Sequence, residues 1–179
     1  MAALLRLTSY VDRISRFFAY IAAVLVLATC TISAFNAVSR YAFDLSSNAW
    51  LEIQWQLFAG IFMLASAHVL QVNGHVRVDM LYGSYSPRGK LWVDVFGIIF
   101  FLIPSVSVMI WLGWSFFLKS YMDAEMSSNA GGLPYWPVKA LMPFGFALLL
   151  LQGLAELIKR IAALQGAQVE KIEYEALQQ

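Results

Sequence analysis

The chain has 179 residues, of which 60% are hydrophobic and only 13% charged, with a mean hydropathy of +0.67 and a net charge of +1 from 12 Lys and Arg against 11 Asp and Glu. Soluble domains carry about a quarter charged residues, so the composition argues against a water-soluble enzyme, and the near-neutral charge gives no basic field for nucleic acid. The single cysteine, Cys30, lies in an apolar run; it excludes a disulfide framework or a cysteine metal site and reads as a packing residue.

Taken in chain order, Leu4, Leu7, Val11, Ile14 and Phe18 recur at three- and four-residue spacing, with Arg6, Ser9, Arg13 and Arg16 on the opposite face. That pattern predicts an amphipathic helix over 1–16 lying on a membrane surface. An uncharged run of 23 residues follows between Arg16 and Arg40, longer than the roughly 7–15 residues of a signal-peptide core, and it reads as a retained span. Further runs of 22, 24 and 16 residues occupy 53–74, 95–118 and 140–155, the first of them interrupted by His68. Crossing a hydrocarbon core of about 30 Å takes about 20 helical residues, and the fourth run reaches that length if its apolar flanks are added and Lys139 snorkels. The expected fold is therefore all-α, with spans at about 17–39, 51–73, 93–118 and 137–158 and a tail over 161–179. Helix is required because lipid cannot satisfy free backbone groups.

Lys and Arg fall unevenly around these spans. Arg6, Arg13, Arg16, Arg77, Arg88, Lys90, Lys159, Arg160 and Lys171 lie on one side, and Arg40, Lys119 and Lys139 on the other. The positive-inside rule then puts both termini in the cytoplasm. Trp50, Trp55, Trp111, Trp114 and Trp136 gather at the outer ends and Trp92 at an inner one, as expected of an interfacial belt. Ser86-Pro87 reads as N-cap and first position of the third helix. Asn129-Ala130-Gly131-Gly132 reads as a turn before a helix framed by Pro134 and Pro137, and Pro104 is placed to kink the third span.

No Asp, Glu, Lys or Arg lies inside the four runs. Intramembrane charges mark ion paths and substrate sites, so their absence argues against a self-sufficient pump. His68 is the one histidine within a span, with His75 seven residues on in the same segment, an arrangement unsuited to bridging a haem; no catalytic constellation and no cofactor site are expected. Mild polarity lines helix faces instead: Thr29, Ser33, Asn36 and Arg40 on the first helix, Glu52, Gln56, Gly60 and Ala67 on the second, Gly145, Gln152 and Gly153 on the fourth. Such residues pack membrane helices, either within this chain or against a partner. A membrane anchor of a redox complex and a self-assembling small channel or exporter are the competing functional readings.

Three strings carry a resemblance: NAVSRYAF at 36–43, AWLEIQWQLFAG at 49–60 and GHVRVDMLY at 74–82. In order and spacing they resemble the small membrane subunit (DctQ-like) of tripartite ATP-independent periplasmic (TRAP) transporters. The resemblance covers about residues 10–160; Asn36, Arg40, Tyr41, Phe43, Trp50, Glu52, His75, Arg77 and Asp79 match its pattern, while Ile53 stands where many relatives have a second acid. A further string at 125–143, EMSSNAGGLPYWPVKALMP, resembles the branch labelled for mannitol, chloroaromatic or α-keto acid uptake. The resemblance implies a bacterial inner-membrane subunit that is not an enzyme. It would brace the stationary part of a large elevator subunit, which holds the solute and sodium sites, and help a periplasmic solute-binding protein dock. Asn36, Arg40, Tyr41, Trp50, Glu52, Gln56, His75, Arg77 and Asp79 become candidates for partner contact, and Asp44, Asp123 and Glu125 candidates for docking.

Overall fold

A computed structural model describes residues 2–45, 47–74 and 85–166; among them the architecture is all-helical apart from an isolated antiparallel bridge between Met126 and Pro134. Four helices account for it: α1 (Ala2–Phe43), α2 (Asn48–Gln71), α3 (Pro87–Met122) and α4 (Trp136–Leu164). Each is long and apolar enough to cross a membrane. The helix starts follow local chemistry. Ser47 accepts the Ala49 amide at 3.3 Å to cap α2. Ser86 accepts the Gly89 amide at 3.2 Å, with Pro87 in the first turn of α3, where a missing N–H costs nothing.

Two features reshape the expected spans. Residues 2–43 form one unbroken helix, so nothing in the backbone separates the segment 1–16 from the span 17–39. Its inward stripe is Thr8, Ser15 and Ala22, at seven-residue spacing, whereas Leu4, Leu7 and Ile14 are exposed. In α3, Ile98–Leu102 widens into a π-helical turn, with the Ile103 amide bonded to the Ile98 carbonyl. Pro104 follows it: proline has no N–H to give, and its ring clashes with the carbonyl four residues back, so the preceding turn opens.

The helix α4 is the hub. It packs against α1, α2 and α3, while α1 and α2 pair with each other on one side of it. The core is small: Ala22, Leu64, Ala67 and Leu148 with Phe18, Ile21, Leu25, Ile61 and Ala65 around them. Close approach comes from glycine. A Cβ on Gly145 would lie 2.7 Å from Met63 Cβ and 2.9 Å from the Met63 carbonyl oxygen, so α2 and α4 cross nearly backbone to backbone. Gly153 makes room for the side-chain end of Leu102 of the π turn, and Gly60 faces Leu25 and Leu141. The glycines marked in the sequence thus serve packing within the chain. The outside of the bundle is apolar and all six tryptophans are exposed on it, the inverted patterning of a protein solvated by lipid.

Candidate functional site

Polar chemistry concentrates at the two ends of the bundle. One end carries the α1–α2 and α3–α4 connections and is called the loop end; the other, where α1 and α3 begin and α2 and α4 finish, is the terminal end.

At the loop end, the sequence SSNAGG folds the α3–α4 connection into a compact turn. The Gly132 amide donates to the Asn129 carbonyl at 3.0 Å, and the Asn129 amide to Ser127 Oγ at 3.2 Å. Gly131 sits at φ +70°, the left-handed region that favours glycine. A Cβ on Gly132 would lie 2.4 Å from Ser127 Cβ, so that position too requires glycine. The Ser127 amide donates to the Leu133 carbonyl and the Tyr135 amide to the Glu125 carbonyl, both at 3.0 Å, which closes the arms of the loop.

One face of α2 grips this loop through three residues at four-residue spacing. Asn48 Nδ2 donates to the Ala130 carbonyl (3.3 Å) and Gln56 Nε2 to the Pro134 carbonyl (3.3 Å). Between them Glu52, only 3% exposed, accepts three hydrogen bonds: Oε1 from the Ser127 hydroxyl and from Asn129 Nδ2 (2.8 Å), and Oε2 from the Leu133 amide (2.7 Å). Three of the roughly four acceptor positions of the carboxylate are filled from a segment 75 to 81 residues away. Trp55 packs against Tyr135, with ring centroids 5.9 Å apart, on the flank of the same contact.

Lys139, in the first turns of α4, bonds Glu125 and lies 4.0 Å from the Phe116 ring centroid, a cation–π contact. The Lys139 ammonium holds the Glu125 carboxyl below its ordinary value of 4.5, against the opposing effect of burial.

At the terminal end a larger network joins all four helices. Gln152, fully buried, accepts from Ser15 Oγ (2.7 Å) and donates to Asp12 Oδ1 (2.8 Å) and Glu156 Oε1 (3.1 Å). Lys159 Nζ bridges Asp12 (2.6 Å) and Glu156 (2.8 Å). Arg160, 2% exposed, reaches Asp94 Oδ2 through Nε (2.8 Å), Glu156 through Nη1 and Asn73 Oδ1 through Nη2 (3.0 Å). Partners from α1, α3, α4 and Asn73, two residues past the end of α2, thus meet around one guanidinium and one ammonium. Burial of charge is tolerable here because each group is paired and hydrogen-bonded.

These two polar levels are separated by about 26 Å along α4, from Lys139 to Glu156, and by about 29 Å along α2, from Glu52 to Gln71. That spacing matches a hydrocarbon core of about 30 Å. Between them the runs of the sequence contain no Asp, Glu, Lys or Arg. His68 lies near the terminal end with Nδ1 donating to Gln71 Oε1 at 2.9 Å.

Of the residues singled out from the sequence, Glu52 and Gln56 come together with Glu125 around the α3–α4 loop. Trp50 is half exposed and stacks at a tilt on Phe35. Tyr41 is 89% exposed. Arg40, in the last turn of α1, is exposed and makes no ion pair among the described residues, and Asn36 is partly buried one turn before it. Asp44 and Asp123 are exposed at the loop end. His75, Arg77 and Asp79 lie outside the described residues. The terminal-end network was not anticipated; the available signal was Glu156, Lys159 and Arg160 spaced to share one face of the last helix, with an acid or amide near the same end of each other helix.

Residues 29–163 match the sequence model of the family described as tripartite ATP-independent periplasmic transporters, DctQ component. Comparison with curated proteins and with solved structures gave no match.

Proposed function

The chain belongs to the DctQ family of TRAP transporter components, and from that premise we propose that it is the non-catalytic small permease subunit that braces the stationary part of a large elevator subunit. It sits in the bacterial inner membrane with both termini in the cytoplasm, so that the loop end faces the periplasm and the terminal end the cytoplasm. The excess of Lys and Arg on the terminal side supports that orientation. The residues 2–16 of α1, with Arg6, Arg13 and Arg16 exposed among Leu4, Leu7 and Ile14, suit the inner headgroup layer.

The observation that carries this reading is the confinement of charge to two clasped levels. A helix bundle latched at both ends, with an uncharged apolar shaft between, offers no charged lining for a polar solute among the described residues and suits a bracing element. Solute and sodium are handled by the large subunit, and a periplasmic solute-binding protein delivers an organic acid or related solute. Arg40, Tyr41 and Trp50, exposed at the periplasmic end, are placed to meet the large subunit, and Asp44, Asp123 and Glu125 to meet the binding protein.

The test is isolation under mild detergent from cells carrying all three components. An affinity tag on this chain retrieves a much larger multi-span protein in fixed ratio, and sodium-driven uptake in liposomes needs that protein and the binding protein as well. Recovery of this chain alone, or solute flux through it alone, rejects the proposal.

A further inference from the structure

We infer that Glu52 is a positioning residue for docking: its buried carboxylate templates the 125–135 loop, so that the periplasmic face is presented preformed to the binding protein. The inference rests on the docking role proposed above. Its basis is the asymmetry of the contact. The end of the loop is anchored by Leu133 to Tyr135, which are partly buried, with Tyr135 packed on Trp55, but its tip residues 128–131 are exposed. What fixes the tip to the bundle is a row of polar side chains from α2, with Glu52 at the centre taking three donors, from Ser127, Asn129 and Leu133. Two of these donors are side chains and one is the backbone, so one carboxylate sets both the loop's internal turn and its distance from the helix.

An acceptor-only group is needed there. All three partners donate, and only an ionised carboxylate offers acceptors on both oxygens. A glutamine of the same shape lacks the charge that strengthens all three bonds, and to keep its carbonyl on the Leu133 amide it must turn its NH₂ toward Ser127 and Asn129, which donate here and would have to reverse. Ordering a loop before encounter lowers the entropy lost on association. Glu52 therefore acts on the affinity of docking and leaves the transport step, carried out elsewhere, untouched.

The experiment uses the complete transporter in liposomes, with Glu52→Gln and, from the loop side, the double variant Ser127→Ala with Asn129→Ala. Uptake is measured as the loaded binding protein is titrated, and hydrogen exchange is followed at the Ser127 and Leu133 amides. The expected result is the same for both variants: exchange at these amides accelerates about tenfold or more, the binding-protein concentration for half-maximal uptake rises about tenfold, and the maximal rate and the ratio of this chain to the large subunit stay at wild-type values. Combining all three substitutions adds little, since they remove one contact.

Unchanged exchange, or faster exchange with an unchanged half-maximal concentration, overturns the inference, as does a fall in maximal rate alone. If Glu52→Gln does not accumulate, the loop-side pair decides by the same readouts. Failure of the underlying functional reading is distinct: the wild-type system then shows no dependence on the binding protein at all.

Discussion

Gly145→Ala tests the tightest contact in the bundle. The added Cβ lands 2.7 Å from Met63 Cβ and 2.9 Å from the Met63 carbonyl oxygen, whereas carbon atoms rest at about 3.5–4.0 Å. The neighbours are backbone and Cβ, which cannot swing away, so α2 and α4 must part by about 1 Å at the crossing. Overpacking of this kind costs about 1–3 kcal/mol. Gly153→Ala is the graded comparison. Its Cβ meets Leu102 Cδ2 at 2.6 Å, but that is the end of a rotatable side chain, and the cost is closer to a rotamer shift of about 0.5–1.5 kcal/mol. Gly97→Ala is the control, because nothing lies within 4 Å of its Cβ; alanine there gains helix propensity of up to about 1 kcal/mol. Unfolding free energies are read from far-ultraviolet circular dichroism and tryptophan fluorescence in mixed micelles titrated with a denaturing detergent. The order of stability runs Gly97→Ala highest, then Gly153→Ala, then Gly145→Ala; the propensity gain is common to all three, so the extremes lie about 1–3 kcal/mol apart. If Gly145→Ala matched Gly97→Ala within about 0.5 kcal/mol, the backbone crossing argued from these distances would be refuted.

Three further outcomes follow from the same contacts. Arg160→Met leaves Glu156 and Asp94 facing each other without their guanidinium and lowers unfolding stability by about 3–5 kcal/mol; adding Glu156→Gln recovers part of it in the same detergent titration, and no recovery would argue against an electrostatic origin. The Glu125 carboxyl titrates below its unfolded value of 4.5, so its stabilisation of the loop end is complete above that value and drains as pH falls through the folded one; the protection factors of the loop amides, taken relative to the intrinsic exchange rate at each pH, therefore fall in acid, and Lys139→Met flattens that acid limb, whereas an identical limb in the variant would discard the pairing. Arg40→Ala reduces the amount of large subunit retrieved with the tagged chain while leaving its own unfolding free energy within about 0.5 kcal/mol, since Arg40 pairs with nothing among the described residues; unchanged retrieval would remove it from the interface.

Much of this architecture is written locally. Uncharged runs flanked by Lys and Arg mark the spans, Ser86-Pro87 marks the start of α3, and Asn129 to Gly132 mark a turn, because each depends only on neighbours in the chain. Pro104 was legible as a disturbance, yet its form as a π turn depends on how the preceding residues settle against Gly153. Leu4, Leu7 and Ile14 were read as a membrane-facing stripe and are exposed on the bundle, while the side of that segment that packs inward carries Thr8 and Ser15, which the sequence pattern did not single out as buried. In lipid the apolar face points outward and small polar residues let helices approach, so the soluble-protein rule inverts. The terminal-end network escaped for a different reason. Asp12 and Lys159 are 147 residues apart, and each charge alone reads as an ordinary membrane-flanking residue. Glu52 was singled out as a matching position, while its three donors, far along the chain, became evident only once α2 and the loop were brought together.

The two clasped levels also give the molecule its own pair of waterlines. Lifting or sinking the bundle by a single helical turn, about 5.4 Å, drags the exposed charges beside one clasp, Arg13 and Arg16 at one end or Arg40 and Asp123 at the other, toward hydrocarbon, at a cost that reaches about 2.5–3.5 kcal/mol each at the bilayer centre. Rotation about the membrane normal incurs no such cost. In the proposed bracing role, such a resistance to vertical displacement would make the protein a height mark against which a neighbour's travel across the membrane is taken.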